Sequence, residues 1–96
     1  MTKAEIVANI SNKLGCEKSD TQRIVEEFME EVRTSMLSGE NVYLRGFGSF
    51  TIKERAEKTA RNISKNTTII IPAHNIPVFK PSKSFVEKVK QKVKIK

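Results

Sequence analysis

The sequence predicts an α+β domain: a helical body, a short antiparallel sheet and a long β-arm protruding from it. Three observations predict this. Apolar residues recur at helical spacing as far as about residue 40, change to a strand-like period from residue 41, and return to helical spacing after Ser82. Phe28, Phe47, Phe50, Phe79 and Phe85 all lie outside residues 53–75, so that segment has little with which to build a core and should project. The chain has 96 residues, enough for one small domain and too few for two.

Taken in order, Thr2-Lys3-Ala4-Glu5 is a capping box, and Ile6, Val7, Ile10 and Leu14 follow at helical spacing until Gly15 offers a left-handed stop. Ser19-Asp20-Thr21-Gln22 reads as a second capping box. It opens a longer helix with an apolar stripe of Ile24, Val25, Phe28, Met29, Val32 and Met36 and an outer face of Glu26, Glu27, Glu30, Glu31 and Arg33. Residues 1–40 are expected to be a helical dimerisation region. Val42-Tyr43-Leu44, a turn at Arg45-Gly46-Phe47-Gly48, and the alternating Phe50 and Ile52 make a β-hairpin. Residues 41–52 and 76–81 are assigned to the sheet and residues 53–75 to the arm. The arm goes out through Lys53 to Ala60, turns over Arg61 to Asn66 and returns along Thr67 to Ile71. Pro72 and Pro77 bracket a break in the ladder, and Ser82 caps a last helix, residues 82–96, with Phe85, Val86, Val89 and Val93 on one face.

Charge is distributed unevenly. The chain carries +7 overall, but residues 1–40 hold 5 basic and 8 acidic side chains, a net of −3, whereas residues 41–96 hold 13 and 3, a net of +10. The second half therefore carries a field suited to a polyanion. No apolar run approaches the roughly 20 residues needed to cross a bilayer. The N-terminus does not read as a signal peptide and Cys16 has no second cysteine to pair with, so a reducing cytoplasmic compartment is expected.

Without residues 53–75 the chain keeps only 73 residues, near the size at which a lone core gives about 3–5 kcal/mol unless disulfides, metal or oligomerisation assist. Disulfides are excluded and metal ligands are scarce. A dimer sharing Phe28, Met29 and Val32 of the second helix and Phe47, Phe50 and Phe79 of the sheet is the expected solution.

The sequence points to no catalytic centre, metal or cofactor. One His and one Cys do not assemble a nucleophile, base and orienter, and Gly46-Phe47-Gly48 lacks the third glycine of a dinucleotide fingerprint and the Gly-Lys-Ser/Thr of a P-loop. Gly46 and Gly48 instead let backbone N–H groups approach a phosphate. The arm is the informative segment. A ribbon bearing Lys53, Arg55, Lys58, Arg61 and Lys65, with Asn62 near its tip, has the donors needed for phosphates and for the acceptors of the minor groove. Ile63 at the tip is an apolar side chain suited to wedge between base pairs. Lys83 opposes the macrodipole in the first turn of the last helix unless an anion sits there, which marks it and neighbouring Lys80 as phosphate contacts. Lys3 completes the candidate set.

These residues resemble the HU and integration host factor family of bacterial DNA-bending proteins. The resemblance runs through Gly46-Phe47-Gly48-Ser49-Phe50, Arg55-Ala56-Glu57-Lys58-Thr59-Ala60-Arg61-Asn62, Ile71-Pro72-Ala73, Asn75-Ile76-Pro77-Val78-Phe79 and Lys83, and covers essentially the whole chain. It implies an intertwined dimer whose arms wrap the minor groove of double-stranded DNA, each tip inserting an apolar residue. It also implies a place in the nucleoid. Three positions depart from the family pattern: Lys58 stands for a usual Arg, Ala60 for a usual Gly and Ile63 for a usual intercalating Pro. The leading expectation is a non-catalytic homodimer that bends DNA with little sequence preference. A subunit of a site-specific, heterodimeric bender, a general polyanion or RNA binder, and an enzyme are the alternatives, in that order.

Overall fold

The computed structural model describes residues 1–62 and 67–95. Its elements run α1 (Lys3–Leu14), α2 (Lys18–Leu37), β1 (Val42–Leu44), β2 (Gly48–Arg55), β3 (Lys58–Asn62), β4 (Thr67–Ile71), β5 (His74–Pro81) and α3 (Lys83–Lys92). Helix α1 begins as expected: the Glu5 amide donates to the Thr2 hydroxyl at 3.2 Å, and Gly15 closes the helix at φ 69°.

Helix α2 starts earlier than the Ser19 box suggests. Its N-cap is Glu17, and the Thr21 hydroxyl donates back to the Glu17 carbonyl at 2.9 Å. Thr21 of α2 is buried, as are Val7 and Ser11 of α1, the other buried side chains among the described residues, and α1 packs against α2. Ser11 satisfies its hydroxyl on the Ala8 carbonyl at 3.0 Å. Both hydroxyls can enter this helix corner because each spends its hydrogen on a carbonyl of its own helix.

Strands β1, β2 and β5 form an antiparallel sheet in that order, and β3 and β4 form a separate two-stranded ribbon. The ladder breaks at Pro72-Ala73 as expected, but the break is shorter than the sequence reading made it and does not reach Pro77. Strand β5 runs unbroken from His74 through Asn75, Ile76 and Pro77, with Arg55 opposite His74 and Ile52 opposite Pro77. The reason lies in pairing. The Ile52 N–H is turned toward β1, where Asn41 Oδ1 accepts it at 3.0 Å, so Ile52 and Pro77 form a non-hydrogen-bonded pair. The Pro77 nitrogen then faces the open side of an edge strand, where no donor is required.

Opposite Pro72-Ala73 the other strand is interrupted at Ala56-Glu57. Lys58 pairs with Ile71 in the same register in which Arg55 pairs with His74, so the arm continues the β2–β5 hairpin without a bulge. Lys53 and Arg55 accordingly belong to the body sheet. Arg61 and Asn62 lie in β3, opposite Thr68 and Thr67, where the sequence suggested the turn. Ile63 and Lys65 fall outside the described residues.

Phe50 and Phe79 meet across the sheet with ring centroids 5.0 Å apart, and Phe47 bridges Phe79 at 5.1 Å and Phe85 of α3 at 5.6 Å. The expected cluster thus forms within one chain, with Phe85 as a fourth member. It does not close the core. Phe28 is 47% exposed and Phe47 48%, and an apolar groove lined by Phe28, Met29, Val32, Phe50, Ile52 and Pro77 separates α2 from the sheet. The chain exposes 8535 Å², against about 5,600 Å² for a compact monomer of this mass. Its radius of gyration of 18.9 Å likewise exceeds the roughly 12.5 Å of a compact 96-residue domain.

Helix α3 is shorter than expected. Ser82 caps it, accepting from the Phe85 amide at 3.3 Å, but Val93 is already extended at the C-cap, so residues 93–95 are not helical. Val93 and Ile95 are 67% and 101% exposed, so neither gains from continuing the helix.

Candidate nucleic-acid interface

Side chains alternate across a strand, so the Phe50–Phe79 contact fixes which face of the sheet turns inward. The outer face then carries four paired rows: Ser49 with Lys80, Thr51 with Val78, Lys53 with Ile76, and Arg55 with His74. Lys80, Lys53 and Arg55 are exposed and form a cationic stripe from the hairpin turn to the root of the arm. Beyond the break the ribbon has two faces. Thr59, Ile70, Arg61 and Thr68 share one; Lys58, Ile71, Ala60 and Ile69 share the other. Lys58 and Arg61 therefore present their charges from opposite sides of the arm.

The lower end of the stripe is held by Ser82. Its amide donates to the Phe47 carbonyl at 2.9 Å and its hydroxyl to the Gly46 carbonyl at 3.1 Å, stitching the β1–β2 turn to the start of α3. Lys83 opens α3 next to this latch, and the first turn of the helix holds no acidic residue. Gly46 occupies the left-handed region at φ 81° with open space around it. Gly48 differs. A Cβ there would lie 2.6 Å from the Lys80 carbonyl and 2.6 Å from the Phe79 ring, so the absence of a side chain first serves the closeness of β2 and β5. Sequence reading missed that packing role because the partner atoms lie some thirty residues away.

Lys3 stands apart from the stripe. It lies on α1 and pairs with Glu26 of α2 at 3.4 Å. The Gln22 amide, donating at 2.8 Å, and then Lys3 hold the Glu26 carboxyl below its ordinary range. The face thus joins Lys80, Lys53 and Arg55, sets Gly46 and Lys83 at one end and the arm at the other, and leaves Lys3 on the helical layer.

The sequence matches the family described as Bacterial DNA-binding protein over residues 1–90. The chain belongs to the HU and integration host factor family. Among curated relatives, the integration host factor alpha subunit of Mannheimia succiniciproducens is 37% identical, over 96% of this chain and 97% of that protein. Among solved structures, Anabaena HU in a cocrystal with DNA is 34% identical with a TM-score of 0.89, covering 94% of this chain and 98% of that one. HU from Thermotoga maritima is 29% identical at TM-score 0.66, covering 94% and 100%. The α+β architecture and the assignment to DNA-binding architectural proteins of the HU and integration host factor type follow from these likenesses.

Proposed function

We propose that this chain is a non-catalytic, nucleoid-associated protein that, as a dimer, binds and bends duplex DNA through the minor groove with little sequence preference. The observation that carries the reading is the placement of Lys80, Lys53 and Arg55 on one outer face of the sheet, leading into an arm with Lys58 and Arg61 on opposite sides. A ribbon in a minor groove meets a phosphate wall on either side, and charges on both faces answer both walls. Gly46, Gly48 and Lys83 contact phosphate at the sheet end, Lys65 and Asn62 toward the tip, and Ile63 supplies the wedge. The cocrystal of Anabaena HU with DNA supports this reading.

Self-association is part of the proposal. The uncovered groove between α2 and the sheet, lined by apolar side chains, supports it, because obligate homodimer interfaces are large and hydrophobic. A second reading, a subunit of a heterodimer that selects sites through DNA deformability, is favoured by the likeness to integration host factor alpha subunits. A salt titration of binding to several unrelated duplexes tests both. Similar affinities, with log K falling by about 0.9 per phosphate neutralised, support the first. A strong preference for one sequence, or binding only after a second chain is added, supports the other.

A further inference from the structure

His74 occupies the last row of the outer face, directly across from Arg55. It is the single histidine of the chain and it is exposed. Its Nδ1 lies 2.9 Å from the Pro72 carbonyl oxygen. A carbonyl only accepts, so this contact requires the hydrogen on Nδ1 and leaves Nε2 as the free nitrogen of the neutral ring. The bond ties the imidazole to the break at Pro72-Ala73, where the body ends and the arm begins. Its surroundings on that face are cationic, with Arg55 opposite and Lys53 one row below. Of the nearby carboxylates, Glu54 lies on the other face and Glu57 lies in the break; no carboxylate is ion-paired with His74 among the described residues. Strand β4 brings no titratable side chain, and Lys58 of β3 shares a ribbon face with Ile71.

We propose that His74 is a proton-linked phosphate ligand at the root of the arm: anchored through Nδ1–H on the Pro72 carbonyl, it takes up and keeps a proton on Nε2, whose N–H donates a hydrogen bond to a DNA phosphate beside Arg55. The inference rests on the DNA-binding reading above. Protonation at Nε2 leaves the Nδ1 anchor in place, so the ring changes charge without changing position. Next to cations and without a carboxylate partner, the imidazolium lacks a counter-charge in the free protein; a phosphate supplies one. Protonation adds one positive charge at this contact, so DNA affinity should rise as pH falls, with one proton taken from solvent per protomer. One further phosphate neutralised at 0.1 M salt corresponds to a gain of roughly eightfold per protomer.

The test is fluorescence anisotropy of a labelled duplex at fixed salt from pH 5.5 to 8.0, with the wild type, His74→Gln and His74→Lys. The wild type should bind more tightly at pH 5.5 and its salt slope should steepen there. His74→Gln should lose both effects while still binding, and His74→Lys should hold the tighter affinity across the range. Equal pH profiles for the wild type and His74→Gln overturn the His74 contact and leave the DNA reading standing. A wild type that binds no duplex at any pH overturns both.

Discussion

Replacing Gly48 by alanine separates what this glycine does for the fold from what it offers to DNA. The added Cβ would lie 2.6 Å from the Lys80 carbonyl oxygen and 2.6 and 2.7 Å from two carbons of the Phe79 ring, where ordinary contact begins at 3.4 Å. Relief requires β2 and β5 to part by about 0.8 Å or Phe79 to swing away from Phe47 and Phe50. Neither movement is cheap, because the carbonyl is backbone and the ring is held on two sides. Overpacking of this kind costs about 1–3 kcal/mol, which lowers Tm by roughly 4–8 °C per kcal/mol in a domain of this size. The assay is thermal unfolding followed by circular dichroism at one protein concentration, since a dimer's Tm depends on it. Gly46→Ala is the companion variant: its Cβ meets open space, so only the left-handed φ of 81° penalises it, by roughly 1–2 kcal/mol. A Gly48→Ala protein with wild-type Tm would refute the packing argument and return Gly48 to a purely DNA-facing role.

Phe28→Ser should disrupt the dimer. With 47% of Phe28 exposed in one chain, burying the rest of a roughly 200 Å² side chain is worth about 2 kcal/mol per protomer, doubled by two-fold symmetry. The dimer dissociation constant should rise about a thousandfold, and sedimentation that still shows a tight dimer would contradict the groove assignment. Arg55→Ala should flatten the slope of log K against log salt by about 0.9 per protomer, whereas Lys13→Ala, at the end of α1, should leave it unchanged. Equal slopes for the two variants would remove Arg55 from the phosphate contacts.

Those elements whose signal is local were legible in the sequence. The Thr2 cap, the Gly15 stop, the Ser82 cap and the turn at Gly46 each depend on residues within a few positions. Elements set by distant partners were not. Helix α2 begins at Lys18, where the Glu17 cap makes no side-chain bond and Thr21, read as part of a capping box, is instead a buried helical residue bonded back to the Glu17 carbonyl. Pro77 reads as a breaker until it is known that β5 is an edge strand and that Ile52 bonds away from it. The cations of the site were recognisable by type, but their order along one face follows from the β2–β5 register, and His74 joined them only once Arg55 was found opposite.

Whether the arm bends DNA or merely tethers to it is read most directly by energy transfer between the ends of labelled duplexes of unrelated sequence. Wild-type protein should shorten the end-to-end distance on every duplex, and Ile63→Ala should bind with an unchanged salt slope but bend less. Wild-type binding that leaves all the duplexes straight would contradict the account.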